Sequence, residues 1–99
     1  MKKLIITKVD KNTYTLKDKE NKLYNITFEF HDINILPKEG DTIYMSEKLL
    51  DENNQSYSDF YALGNLDSTY GRKITKEDDE DIIVINTNNK DIPLKRLYG

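Results

Sequence analysis

The residues best equipped for chemistry in this 99-residue chain are its two arginines, and they sit in matching company. One lies in Tyr70-Gly71-Arg72-Lys73 and the other in Lys95-Arg96-Leu97-Tyr98-Gly99, so each arginine–lysine pair has a tyrosine–glycine pair beside it. A guanidinium presents a planar fork of donors to phosphate or carboxylate, and a phenol ring presents a face for stacking. If the two segments met in space, Tyr70, Arg72, Lys73, Lys95, Arg96 and Tyr98 would form an anion or nucleotide site. The plainer alternative is that both tyrosines pack the end of the domain while the charges pair with the acids of residues 77–81.

That run, Glu77-Asp78-Asp79-Glu80-Asp81, offers five carboxylates to a hard cation. It lacks the spaced ligands and central glycine of a calcium loop, so it reads as a solvated acidic loop and no metal is expected. His31, the one histidine, stands between Glu29 and Asp32 at the end of a strand-like run. An imidazole can serve as a general base, but no nucleophile motif accompanies it: there is no cysteine, no Gly-x-Ser-x-Gly and no phosphate-cradling glycine loop. His31 is expected to be an ordinary loop residue, with no catalytic residues and no cofactor. The densest aromatic group is Tyr57, Phe60 and Tyr61, with Tyr44 in a neighbouring strand. Alternation sends Tyr57 and Tyr61 to one face and Phe60 to the other, which leaves some rings for the core and some for a partner.

Composition bounds these readings. The chain is the size of one domain, and 36% apolar with 33% charged residues gives a thin core. With no cysteine, disulfides, thiolate nucleophiles and cysteine-ligated metals are excluded. Residues 1–50 carry nine lysines against eight acids and residues 51–99 six basic residues against ten acids, for a total of -3. A net acidic chain is disfavoured as a nonspecific nucleic-acid binder, although a local basic patch is compatible with it. No apolar run reaches the length of a signal peptide core or a membrane span, so a cytoplasmic protein is expected. The wealth of Lys, Asn, Ile and Tyr matches the AT-rich coding bias of a low-GC bacterium or its mobile elements.

The elements that must position these residues are strands. Tyr24, Ile26, Phe28 and Phe30 alternate with Asn25, Thr27 and Glu29, as in a strand with one buried face. Residues 4–9 and 13–16 are two further β-rich runs, separated by Asp10-Lys11-Asn12, and Asp18-Lys19-Glu20-Asn21 makes the next turn. Pro37 and Gly40 break the chain before a fourth strand over 41–45. Ser46 can cap a helical turn over 47–50, a fifth strand covers 57–64, and Thr75-Lys76-Glu77-Asp78 fits a second short helix. Ile82-Ile83-Val84-Ile85 reads as a strand buried on both faces, and Asn88-Asn89-Lys90 turns the chain back into a closing hairpin over 91–98. The sum is a single all-β domain over residues 1–99, a small barrel of about six to seven strands with one or two helical turns.

The order hairpin, third strand, loop, Gly-Asp, strand resembles small barrels of the OB class, including RNA-binding repeats of ribosomal proteins. The matching residues are Ile6-Thr7-Lys8-Val9-Asp10-Lys11 before Thr13-Tyr14-Thr15-Leu16, and Leu36-Pro37-Lys38-Glu39-Gly40-Asp41-Thr42-Ile43. The likeness spans about residues 3–64 and implies nucleic-acid or oligosaccharide binding on the barrel face. The chain departs from it in two places. Its second strand offers one aromatic and no arginine, and residues 65–99 have no counterpart.

The leading functional expectation is a noncatalytic binding module that docks a protein partner, or its own copy, through the aromatic strands and the C-terminal hairpin. The alternative is an OB-like binder of single-stranded nucleic acid using Tyr44, Tyr57, Tyr61, Arg72, Lys73, Lys95 and Arg96. An enzyme acting on a small molecule comes third. No membrane partner is expected.

Overall fold

A computed structural model describes residues 1–53, 57–62 and 82–96; of Glu52, Asn53, Tyr57 and Ser58 it describes the backbone. The strands are β1 (Lys2–Asp10), β2 (Thr13–Lys17), β3 (Leu23–His31), β4 (Thr42–Met45), β5 (Tyr57–Ala62), β6 (Ile82–Thr87) and β7 (Lys90–Arg96). One helix, α1 (Glu47–Asn53), lies between β4 and β5. The seven strands close into a barrel in the order β1-β2-β3-β5-β7-β6-β4. The C-terminal hairpin is therefore an integral part of the wall: β6 pairs with β4 and β7 with β5, each antiparallel. Among the described strands, β3 and β5 form the one parallel pair. Among the described residues no helix is long and apolar enough to cross a membrane.

Local chemistry accounts for the turns. Lys11 (φ 55°) and Asn12 link the paired residues Asp10 and Thr13. Asn88 (φ 52°) and Asn89 (φ 62°) both adopt the left-handed conformation that a two-residue hairpin turn of matching twist needs, which asparagine tolerates. At β1 the register shifts between Ile6 and Lys8, an extra residue of the kind that lets a sheet curl. There Ile6, still opposite Leu16 of β2, turns its backbone polar groups to the Gly-Asp corner, donating its N–H to the Asp41 carbonyl and accepting the Gly40 N–H, both at 2.9 Å.

Gly40 has φ 91°, which only glycine adopts at low cost. The strand expected from Asp41 begins instead at Thr42, because Asp41 closes the corner. Its carboxylate accepts the Lys38 N–H at 2.9 Å, and its own N–H donates to the Lys38 carbonyl at 3.0 Å. Burial pushes the Asp41 carboxyl up, but hydrogen bonds from Thr87 and the Lys38 amide, with the Lys38 charge, outweigh it and hold the pKa below its ordinary value. Lys38 Nζ also reaches Asn88 Oδ1 at 3.2 Å, tying this corner to the β6–β7 turn.

Inside, alternation works as expected. Leu4, Ile6, Tyr14, Leu16, Tyr24, Ile26, Phe28, Ile43, Met45, Phe60, Ile83, Ile85 and Leu94 fill the barrel. Leu49 and Leu50 of α1 join the same cluster, and Ser46 caps that helix by accepting the Leu49 N–H on Oγ at 3.0 Å. All four residues Ile82–Ile85 are buried, the pattern of a strand covered on both faces. The suggested helix at Thr75–Asp78, the acidic run and the end of the expected fifth strand at Gly64 lie outside the described residues.

Candidate functional site

The β3–β5 pairing builds the most organised outward-facing group. In register, Glu29 lies opposite Asp59 and His31 opposite Tyr61, while Phe28, Phe30 and Phe60 on the same strands point inward. The His31 and Tyr61 rings stack face to face, with centroids 4.4 Å apart and planes 13° from parallel. His31 Nε2 lies 3.0 Å from Asp59 Oδ1, and the two side chains are 34% and 38% exposed, so the pair is anchored yet open to a partner. Asn12, at the β1–β2 turn, donates from Nδ2 to Glu29 Oε2 at 3.1 Å. Across the next strand Lys95 pairs with Tyr61, adding a cation beside the stack.

His31 is thus the last residue of β3 and not a loop residue. The arrangement resembles half of a catalytic dyad, since a carboxylate can orient an imidazole. Among the described residues, however, the side-chain partners of His31 are Asp59 and Tyr61, neither of which is an activated nucleophile. Nor do the described residues contain a group of three or more His, Asp or Glu placed to hold a metal ion. What the arrangement can do is present a stacked ring pair, two carboxylates and an ammonium on the outward register of three neighbouring strands.

Of the residues singled out in the sequence, Tyr61 and Lys95 belong to this wall. Tyr44 is half-buried on β4, in register with Lys3 on one side and Val84 on the other. The outward row Tyr44–Val84–Pro93 runs next to the row Ile82–Lys95–Tyr61, so Tyr44 takes the same outward register with β6 and β7 between it and Tyr61, and the outward Ile82 and Val84 are buried. Tyr57 opens β5 opposite Thr27, on the register of Tyr61. Arg96 pairs with the interior residue Phe60 and takes the inward register, opposite in sense to Lys95. Adjacent strand residues face opposite sides, so Lys95 and Arg96 do not form one two-cation fork. Tyr70, Arg72, Lys73 and Tyr98 lie outside the described residues, and with them the meeting of the two arginine segments. His31 and Asp59 were missed as site members; the available signal was that alternation turns both outward with Glu29 and Tyr61.

A second concavity lies across the barrel, where β1, the β2–β3 turn and the start of α1 enclose a groove of about 830 Å³. Asp18 organises it. Its Oδ1 accepts the N–H groups of Glu20 and Lys22, both at 2.9 Å, the Tyr24 hydroxyl lies 3.5 Å from Oδ2, and Lys2 Nζ is 3.6 Å away. Burial raises the Asp18 carboxyl, but these backbone donors and Lys2 outweigh it and lower its pKa. Lys2 is drawn down by desolvation, yet Tyr24, Glu47 and Asp18 more than offset this and raise it.

The chain matches no family model, no curated protein and no solved structure.

Proposed function

We propose that this protein is a noncatalytic interaction module that pairs with a second copy of itself through the outer wall of β3, β5 and β7. The observation that carries the reading is the His31–Tyr61 stack pinned by Asp59 on that wall. Rings already held in one geometry lose little conformational freedom on binding, so more of the contact energy appears as affinity. The wall is also self-complementary in charge. Glu29 and Asp59 lie two residues before the rings along β3 and β5, and Lys95 lies beside Tyr61 on β7, so a twofold axis running diagonally between these two directions sets unlike charges against each other. Because the barrel is closed, association proceeds through side chains and not by strand addition.

An OB-like relation, which would point to single-stranded nucleic acid, finds less support. The barrel has seven strands where that class has five, and the β2 and β3 tyrosines Tyr14 and Tyr24 are 2% and 3% exposed, which removes them as stacking platforms. A small-molecule enzyme finds none among the described residues beyond the His31–Asp59 contact. A bacterial, cytoplasmic setting fits the Lys-, Asn-, Ile- and Tyr-rich composition and completes the reading.

Sedimentation velocity across roughly the micromolar range tests it, since that is where modest interfaces populate. A concentration-dependent dimer that Tyr61→Ala returns to monomer is the expected result. A wild-type protein that stays monomeric throughout overturns it.

A further inference from the structure

The groove on the opposite side of the barrel has a chemistry of its own. Four of its lining residues are lysines, Lys2, Lys3, Lys17 and Lys19, against the three acids Asp18, Glu20 and Glu47. Two of those acids are already engaged. Asp18 is 2% exposed at its side chain and saturated by two amides and Lys2, and Glu47 accepts Lys2 at 3.5 Å. Lys2 is thereby committed to the wall of the groove. Lys3, Lys17 and Lys19 form no ion pair among the described residues, and Glu20 is the remaining acid at the rim. The groove therefore presents an excess of uncompensated ammonium groups, in a chain whose net charge is -3.

The same place is apolar underneath. Ile5 pairs with Lys17, and Lys17 with Leu23, so the three form one row across the outside of β1, β2 and β3. Five large apolar side chains are exposed among the described residues, and two of them line this groove, Met1 (41%) and Ile5 (43%), while Leu23 (58%) follows Lys17 in the same row just outside it. Lysine stems lie over such surface while their heads remain in water, which yields a strip that is greasy at its base and cationic along its edges.

We propose that this groove docks an extended acidic peptide segment of a partner protein, one that sets carboxylates against Lys3, Lys17 and Lys19 and an aliphatic side chain against Met1 and Ile5. A volume of about 830 Å³ matches a short stretch of chain and not a globular face. Nucleic acid fits the site less well. A phosphodiester strand has no aliphatic group for the apolar row, and the aromatic rings nearest in sequence, Tyr14 and Tyr24, are turned into the core. The site is separate from the ring wall of β3, β5 and β7, and neither reading needs the other.

The test uses the full chain and a fluorescein-labelled peptide of alternating glutamate and leucine, followed by fluorescence anisotropy. A peptide with every glutamate replaced by glutamine and a single-stranded oligonucleotide of equal charge serve as the other arms. The acidic peptide is expected to bind, to weaken as salt rises, and to lose about tenfold or more in affinity with the triple variant Lys3→Glu, Lys17→Glu, Lys19→Glu. Circular dichroism confirms that this surface variant folds. Ile5→Ser should weaken the same peptide without altering its salt dependence, and amide shifts in the labelled protein should centre on β1 and the β2–β3 turn. Absence of binding, equal binding of the glutamine peptide, tighter binding of the oligonucleotide, or shifts centred on Tyr61 would each overturn the proposal.

Discussion

Strands β3 and β5 carry two aromatic sets back to back, and the two sets have opposite duties. Inward, Phe28 stacks on Phe30 at 5.2 Å and meets Tyr14 at 5.7 Å and Phe60 at 5.6 Å, a cluster in which Phe28 touches every other ring. Outward, one residue further along each strand, His31 and Tyr61 stack on each other, and Asp59 holds the imidazole. The backbone is the same for both sets, so the difference lies in what surrounds the rings. The inner set removes its surface from water and shares its contacts with many neighbours, whereas the outer set is ordered but half-exposed. The first arrangement stabilises the fold; the second leaves binding surface in reserve.

The sharpest way to break this contrast is at its inner pole. Phe28→Ala removes a ring that is 1% exposed and empties the centre of the cluster, and should destabilise the protein by about 3–5 kcal/mol. Urea unfolding followed by circular dichroism would measure it. A loss below about 1 kcal/mol, the scale of an exposed position, would erase the distinction between the two sets.

Shielded charge offers a second probe, because the side chains of Asp18 and Asp41 are 2% and 11% exposed and hydrogen-bonded, while that of Asp59 is 38% exposed. Both have native pKa values lowered from an ordinary 3.8. A carboxyl that is more acidic in the native state binds fewer protons there than in the unfolded chain, so it stabilises the fold above the unfolded value. That contribution is full above about pH 5 and drains as pH falls through 3.8 toward the lowered native values. The melting temperature should therefore drop on acidification over that window. Asp18→Asn keeps an oxygen acceptor for Glu20 and Lys22 but carries no charge, and should flatten the drop; an unchanged acid profile would mean that Asp18 is not among the groups responsible.

A finer cut at the inner set is Ile26→Val. It removes one methylene from a residue fully shielded from water and should cost about 0.5–1.5 kcal/mol by chemical denaturation. A cost near zero would show that the core around Ile26 relaxes to fill the gap.

How these two sets were legible in the sequence differs as much as their roles. The inner one was written in a period of two: Tyr24, Ile26 and Phe28 against Asn25, Thr27 and Glu29. The turns were also local matters, since Asn88-Asn89 and the breakers Pro37 and Gly40 act through their own backbones and the Ser46 hydroxyl caps a helix three residues on. The outer set depended on a parallel pairing between strands far apart in the chain, which puts His31 on Tyr61. No local pattern encodes which distant strand becomes a neighbour, so His31 read as a loop residue and Asp59 drew no notice. Likewise Leu4-Ile5-Ile6 gave no sign that Ile5 would be 43% exposed at the edge of a lysine groove, until its pairing with Lys17 placed it there.

The smallest expected change in stability belongs to the outer pole, and it is the most telling for function. Tyr61→Ala deletes a ring whose recorded ring contact is with one exposed-side neighbour, so the cost should be no more than about 1 kcal/mol. Asp59 still reaches His31 without it, since that contact runs through Nε2 and not through the stack. If the outer rings serve a partner, this near-neutral change must nonetheless abolish the concentration-dependent dimer, because it removes the centre of the contact surface. A variant that unfolds several kcal/mol more easily would instead make Tyr61 a structural residue that happens to face outward. The inner and outer sets would then differ in exposure but not in duty. Measuring unfolding and sedimentation on the same preparation separates the two, since only a surface held in reserve loses association while keeping its stability.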